Sequence, residues 1–505
     1  MSHEEHSDFN SNHPFSQIMV IINEIIGHFG KYHLYLCLII FANKFGVAFH
    51  QMAIIFLAPP AEYHCPDRNE TCCDDPIFDR SKYSRTIVME WNLICDRVWL
   101  KDLTQTFFQF GVLSGSLIFG MASDKYGRRP TLIASIVIEV FFGVMCSFLP
   151  DFWSFTIVRM AVGFAVGGIM VIGFVILMEY VGNANRDLIS ALYHLPFTLG
   201  YVVLAVFGYY IRDYMYFLLV ISLTDVILLL YICILPESPR WLLAANRTFD
   251  AIALMERVAK INNLPTEDIQ RRIEFYQLEH RLMRHRNGSA IDLFRTPNMR
   301  KNILVMSFTW LVCSYCFYGM AYYISHLTGD VYVNVMASGT VCLCACLIAI
   351  PLMKFMKRKT LVIFANLATS VCMLAIAVVP EGNASLALGI IGVLFSYMIF
   401  VVVYLFCSEM FPTVVRNAAI GISSMMARVG SMIAPFVADF RPFGQWCAPV
   451  AFGIFPLVAA LLCLLLPETK DCELMMTLEE GEAFGKKQSR PRQADTGIDI
   501  AEGVT

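Results

Sequence analysis

Apolar runs of about 20 residues, each long enough to cross a hydrocarbon core of about 30 Å, recur along the chain between short polar breaks. Twelve are legible, over 32–57, 104–122, 131–149, 153–177, 189–210, 214–235, 302–324, 335–353, 360–379, 386–407, 418–438 and 447–466. Two long polar insertions interrupt the series, at 58–103 and 236–301. The pattern predicts an all-α membrane protein with a six-helix bundle over 32–235, a linker over 236–301, a second six-helix bundle over 302–466 and a tail over 467–505. In the arm over 1–31, Ile18, Ile22, Ile25, Ile26 and Phe29 recur at helical spacing, which predicts an amphipathic helix lying on the inner leaflet. Residues 485–505 read as a disordered tail.

Composition agrees with lipid as the solvent: 57% of residues are hydrophobic and 16% charged, with a mean hydropathy of +0.59, whereas soluble domains carry about 25% charged residues. A net charge of -3 offers no basic face, so nucleic acid is not an expected partner. The start of the chain, with His3, Glu4, Glu5, His6 and Asp8, does not resemble a cleavable signal peptide.

Short-loop Lys and Arg set the orientation. Lys125, Arg128 and Arg129 follow span two, Arg186 span four, Lys354, Lys357, Arg358 and Lys359 span eight, and Arg416 span ten. These loops, the linker and both termini are predicted cytosolic. The opposite loops, near Pro150, Thr328 and Glu381, carry almost no positive charge, and the 58–103 insertion falls on their side. That insertion holds a glycosylation sequon at Asn69 and four disulfide candidates, Cys65, Cys72, Cys73 and Cys95, which allow three pairings. These features place the insertion outside the cell or in a lumen, and a multi-pass plasma-membrane location is expected. Most other cysteines, such as Cys342, Cys344 and Cys346, lie in apolar runs as small hydrophobes, and the Cys313-x-x-Cys316 pair is inside a span, so no cofactor or metal is expected. The linker arginines Arg271, Arg272 and Arg281 read as a solvated face, with lipid headgroups as the alternative contact.

An internal repeat joins the halves. Glu179 and Glu409 each precede an arginine, Arg186 and Arg416, by seven positions, and the glutamates are separated by 230 residues (409 − 179). The same offset carries the Asp124–Arg129 loop onto Lys354–Lys359, and Pro236-Glu237 meets Pro467-Glu468 at 231 (468 − 237). Parallel repeats of this kind suit two bundles rocking about a site near mid-membrane. No GxSxG elbow, Walker A loop or HExxH is visible in the sequence, which argues against an enzyme.

Several segments together resemble the solute carrier family 22 organic-ion transporters of the major facilitator superfamily. They are Arg85-Thr-Ile-Val-Met-Glu90-Trp91-Asn-Leu-Ile-Cys95, Gly120-Met-Ala-Ser-Asp124-Lys-Tyr-Gly127-Arg128-Arg129, Pro236-Glu237-Ser-Pro-Arg240-Trp241-Leu, Ser408-Glu409-Met-Phe-Pro-Thr-Val-Val-Arg416-Asn and Pro467-Glu468-Thr-Lys470. The resemblance covers about 15–470. It implies the major facilitator fold and a charge network that latches the cytosolic gate: Asp124 with Arg128 and Arg129, Glu179 with Arg186, Glu237 with Arg240, and Glu409 with Arg416 and Glu468. Lys354 and Lys357 depart from the family's second-half motif, where an acid and a glycine are usual.

Charge inside a span is costly and marks a cavity or a partner. Lys44 in span one forms a polar strip with Asn43, His50 and Gln51, and Arg428 lies in span eleven. Both are candidate contacts for an anionic group, the alternative being structural pairs with Glu139 or Asp225. Members resembling cation carriers have an aspartate at the place of Arg428 and a glutamate at that of Cys342, so the comparison implies anions or zwitterions. Tyr315, Tyr318 and Tyr322 of span seven and Tyr397 and Tyr404 of span ten are candidate aromatic walls. Arg159 and Glu139 are expected to pair, and Gly111-xxx-Gly115 and Gly163-xxx-Gly167 to bring helices close.

The resulting reading is a secondary transporter of small organic anions or zwitterions, such as carnitine-like solutes, embedded in membrane lipid, with a coupling ion or counter-anion left open. An organic cation carrier and a transport-dead sensor are the alternatives.

Overall fold

In lipid each backbone N–H and C=O must be satisfied within its own segment, so every apolar run is committed to a helix. A computed structural model describes residues 22–27, 29–66, 72–73, 75, 77–282, 290–325, 327, 329–440, 444–470, 472, 475 and 477–485, together with 76. Among the described residues eleven helices are long and apolar enough to span: Lys31–Leu57, Cys95–Tyr126, Arg128–Cys146, Phe152–Tyr180, Leu188–Tyr210, Tyr214–Ile234, Pro297–Ser325, Val331–Phe355, Arg358–Ile376, Asn383–Met410 and Val414–Ala438. The twelfth, Cys447–Cys463, is shorter. Each coincides with a predicted run, extended mainly by polar turns at its ends. The starts of spans four, six and eight are capped by Asp151, Asp213 and Asp330, whose carboxylates accept from backbone N–H groups two or three residues on.

Helix packing repeats with the sequence. In the first bundle span one packs on four and five, three on four and six, and two on four; in the second, seven packs on ten and eleven, nine on ten and twelve, and eight on ten. Contacts between bundles obey the same relation, span two meeting eleven and span five meeting eight. The glycine motifs act as expected: a Cβ at Gly115 would lie 1.8 Å from the Phe164 carbonyl oxygen, and one at Gly163 2.2 Å from that of Phe108. Spans two and four therefore meet backbone to backbone.

The 58–103 insertion carries a two-stranded antiparallel sheet, Tyr63–His64 with Ile77–Phe78. Cys65 lies 5.8 Å from Cys73, and Cys72 5.9 Å from Cys95, Cα to Cα, within bonding geometry. Asn69 lies outside the described residues. Arg85 binds Glu90 (Nε–Oε2 2.6 Å) and holds its carboxyl below the usual range. The Trp91 ring packs on Phe152, Phe155 and Tyr214, seating the loop on the ends of spans four and six.

Two expectations are corrected. The turn over 22–26 does not offer its apolar face to a leaflet: Ile22, Ile25 and Ile26 are buried in protein. Asn262 donates to the Ile26 carbonyl and Arg272 pairs with Glu24, so linker helices cover the face instead. Second, no ion pair joins Arg159 to Glu139 among the described residues. Arg159 donates to the carbonyl of His50 (3.5 Å) and to Gln105 (3.4 Å), and its guanidinium lies 5.0 Å over Phe108. Neighbouring helices at equal depth bring side chains together only when their faces agree, and Glu139 is turned to spans one and six. Ile18, Arg281 and the tail beyond 485 lie outside what is described, Arg281 for its side chain.

Candidate substrate-binding site

A cavity of about 690 Å³ lies between the bundles. Its mouth opens on the face of the basic loops, where Asp124, Arg128, Glu179, Arg240 and Arg416 line it. Toward the opposite face the bundles are tied together. Lys101 pairs with Asp439 (2.8 Å), Thr106 donates to the Met432 carbonyl (2.9 Å), the Tyr318 hydroxyl bonds the Gln51 side chain (2.5 Å), and Tyr397 donates to the His194 carbonyl (3.3 Å).

Lys44 and Arg428 stand on the cavity wall from opposite bundles. The Lys44 ammonium rests 4.0 Å over the Tyr193 ring. Arg428 reaches the Met170 sulfur (Nη2–Sδ 3.7 Å), while its Nη1 has no hydrogen-bond partner among the described residues. Among the described residues neither cation meets a carboxylate, and pairs with Glu139 or Asp225, the alternative, do not form. The acids on the wall, Asp124 and Glu179, are both held by Arg128 at the mouth (2.6 and 2.9 Å). The inner cavity is thus cationic at two points, and its wall includes an aromatic group in which Tyr318, Tyr397 and Tyr404 are joined by Phe317, Phe400 and Phe174.

The tyrosine stripe of span seven divides. Tyr315 packs on Phe452 and Phe455 of span twelve (4.9 and 5.3 Å). Tyr322 is buried near Asp102 and Asp439 and is absent from the cavity wall. At about 100° per residue, seven steps bring a side chain back to within about 20° while three leave it about 60° away, so Tyr322 follows Tyr315 and Tyr318 alone turns to the cavity. Gln51 is fully buried behind Tyr318, not on the wall, and accepts from it.

Tyr193 and His194 were not singled out from sequence. They sit where span five breaks between Asn183–Leu192 and Leu195–Tyr210, and the His194 ring meets Tyr404 at 5.3 Å. Pro196, two residues after a histidine in an apolar run, was the available signal.

At the charged mouth the expected Asp124–Arg128 pair forms, and further contacts join it. Arg128 binds both Asp124 and Glu179, and its backbone N–H donates to Glu237 (2.9 Å), as does that of Arg129 (3.2 Å). The repeat does the same: Arg358 binds Glu409 (3.3 Å) and its N–H donates to Glu468 (2.8 Å). Glu237 and Glu468 therefore cap helix starts. Glu409 further accepts from Thr469 (2.6 Å), and Arg416 donates to the Phe411 carbonyl (3.3 Å). Where Lys354 replaces the acid, the Arg358 guanidinium turns to the Met353 carbonyl. The side chain of Arg186 lies outside the described set.

Comparison with known proteins fits this geometry. The sugar (and other) transporter family profile matches residues 95–479. The Organic cation transporter-like protein of Drosophila melanogaster is 31% identical over 538 residues, covering 94% of each chain. Solute carrier family 22 member 1 of Oryctolagus cuniculus is 31% identical, covering 82% of this chain and 75% of its own. The chain belongs to solute carrier family 22. The Beta-alanine transporter of Drosophila melanogaster is also similar, 32% identical over 80% of this chain and 68% of its own. The xylose transporter XylE from E. coli, in a partially occluded inward-open conformation, shares the fold with a TM-score of 0.64 at 18% identity, covering 88% of this chain and all of XylE. This family 22 chain is accordingly a major facilitator transporter of organic ions, not an enzyme.

Proposed function

We propose that this chain carries small organic anions or zwitterions across the plasma membrane by alternating access, and that the structure is its inward-facing state. The observation that carries the reading is the pair of wall cations, Lys44 and Arg428, with no carboxylate paired to either among the described residues. A desolvated cation of this kind favours a solute that brings the counter-charge. The aromatic wall suits the cationic end of a zwitterion by cation–π attraction, and the β-alanine carrier among the relatives is named for a zwitterion. The Asn69 sequon and the two close cysteine pairs agree with an oxidising, extracellular side for the 58–103 insertion. In this state the mouth charges line an open entrance, and closing it would bring Arg240 and Arg416 against the opposite bundle as the gate.

The names of the organic cation transporters among the relatives favour a second reading, a cation carrier. A panel of labelled p-aminohippurate, carnitine and tetraethylammonium separates the two in cells expressing the chain or its Arg428→Asp variant. Uptake of the first two by the parent is expected, with anion uptake falling at least about thirtyfold in the variant, the equivalent of ~2 kcal/mol. Tetraethylammonium uptake by the parent, unchanged in the variant, would remove Arg428 from the site.

A further inference from the structure

Span one has two polar faces. Lys44 and Gln51 serve the centre of the molecule, and Asn43 and His50, each one residue earlier, lie about 100° round the helix. His50 is thereby turned into the first bundle, where its Nε2 lies 3.5 Å from Asp225 Oδ2 of span six. Glu139 of span three completes the group, with one ligating atom from each residue within 4.8 Å of the others. The three are 1%, 3% and 1% exposed in the order His50, Asp225, Glu139, and none reaches the cavity wall.

Their surroundings do not neutralise them. Both oxygens of Glu139, Oδ2 of Asp225 and both His50 ring nitrogens have no hydrogen bond among the described residues. From span four, Arg159 addresses the His50 carbonyl and Gln105, not the carboxylates. On span three, Cys146 faces the Phe155 carbonyl. The site is also made room for: a Cβ at Gly46 would lie 2.3 Å from Asp225 Oδ1, and one at Gly143 2.6 Å from the Ser222 hydroxyl. At Asp225 the helix tightens to a six-residue 3₁₀ segment, Asp225–Leu230, longer than such segments usually run and a common mark of a hinge.

Two carboxylates this close, away from water, do not both ionise. We propose that His50, Glu139 and Asp225 form a proton-binding site that couples proton binding to the transport cycle. The proposal rests on the transporter reading for its cycle but not for its protons. In the loaded state Glu139 is a neutral carboxylic acid and a second proton sits between His50 and Asp225 as an imidazolium–carboxylate pair. Glu139 takes its proton from water on one face of the membrane and returns it to water on the other; unprotonated, it is a lone carboxylate in an apolar bundle, which draws the hinge toward water. A polar relay runs from here to the junction of the bundles. Arg159 links the His50 carbonyl to Gln105, Gln105 donates to the Gln51 carbonyl (3.4 Å), and Gln51 accepts from Tyr318 across the interface.

The test uses the full chain in lipid nanodiscs and in proteoliposomes. Infrared spectra of the parent should contain a protonated-carboxyl C=O band that Glu139→Gln removes. Uptake of the best solute of the panel should rise about tenfold per pH unit of imposed inward proton gradient within the titrating range, and become flat in Glu139→Gln. His50→Gln provides a second variant should the first fail to elute as a single species. Absence of the band from the parent, or a pH response that survives in both variants, overturns the proposal. So does a thermal shift of the parent with Zn²⁺ alone that Glu139→Gln abolishes, which would mark a metal site. A band that behaves as expected with no flux of any solute at any gradient overturns the transporter reading and the coupling, while the proton site stands.

Discussion

Lys44 and Arg428 are buried and meet no carboxylate among the described residues. Keeping an uncompensated charge away from water costs several kcal/mol, so an arrangement of this sort persists where a ligand or water shares the site. Lys44→Met should therefore raise the melting temperature of the purified protein while abolishing saturable uptake, a split that a merely structural lysine would not give. Glycine at a helix contact behaves oppositely. A side chain at Gly430 would press within 2.2 Å of the Leu311 carbonyl oxygen, and overpacking costs about 1–3 kcal/mol or more against backbone. Gly430→Val is expected to lower the melting temperature by several degrees or prevent a monodisperse preparation, whereas Gly421→Val, with nothing within 4 Å of its Cβ, should not.

Among the elements, the two halves use one device at the basic-loop face: an arginine at a helix start, a glutamate from the end of the next helix, and a Pro-Glu cap. They differ in strength. Arg128 holds two carboxylates, one of them 7% exposed, at 2.6 and 2.9 Å, while Arg358 holds Glu409 at 3.3 Å and Glu409 has Thr469 as well. Removing one partner of a buried pair leaves the other charge stranded, at a cost of about 3–5 kcal/mol. Arg128→Ala should consequently destabilise more than Arg358→Ala in thermal denaturation of the same preparation. The Lys354 and Lys357 departures have a structural outcome here, since the Arg358 guanidinium turns to a backbone carbonyl where Arg128 meets Asp124.

For the whole molecule, the equilibrium between states is set by which face holds the two bundles together. In this state the ties lie toward the 58–103 insertion, with Lys101–Asp439 the charged one. Asp439→Asn should shift the population toward the state open on that face. The check is the rate at which a membrane-impermeant thiol reagent labels Gly421→Cys on the cavity wall from the basic-loop side. The label rate should fall relative to the same cysteine in the parent, as the ratio of the two states changes about fivefold for each ~1 kcal/mol of shift. An unchanged rate would leave the ion pair with no part in gating.

Twelve spans, two bundles, their internal repeat and the family were legible in the sequence because lipid imposes length, periodicity and charge placement on each segment separately. The wall positions of Lys44, Arg428, Tyr318, Tyr397 and Tyr404 agree with what the family resemblance implied, each lying on a span that borders the centre. What faced what was decided only by tertiary structure. Arg159 turned to a carbonyl rather than to Glu139, Tyr315 packed on span twelve, Tyr193 and His194 entered at a helix break, and His50 gathered Glu139 and Asp225. A helix sequence fixes the angle between its own side chains, but the rotation of that helix against its neighbours is set by close packing of all of them together.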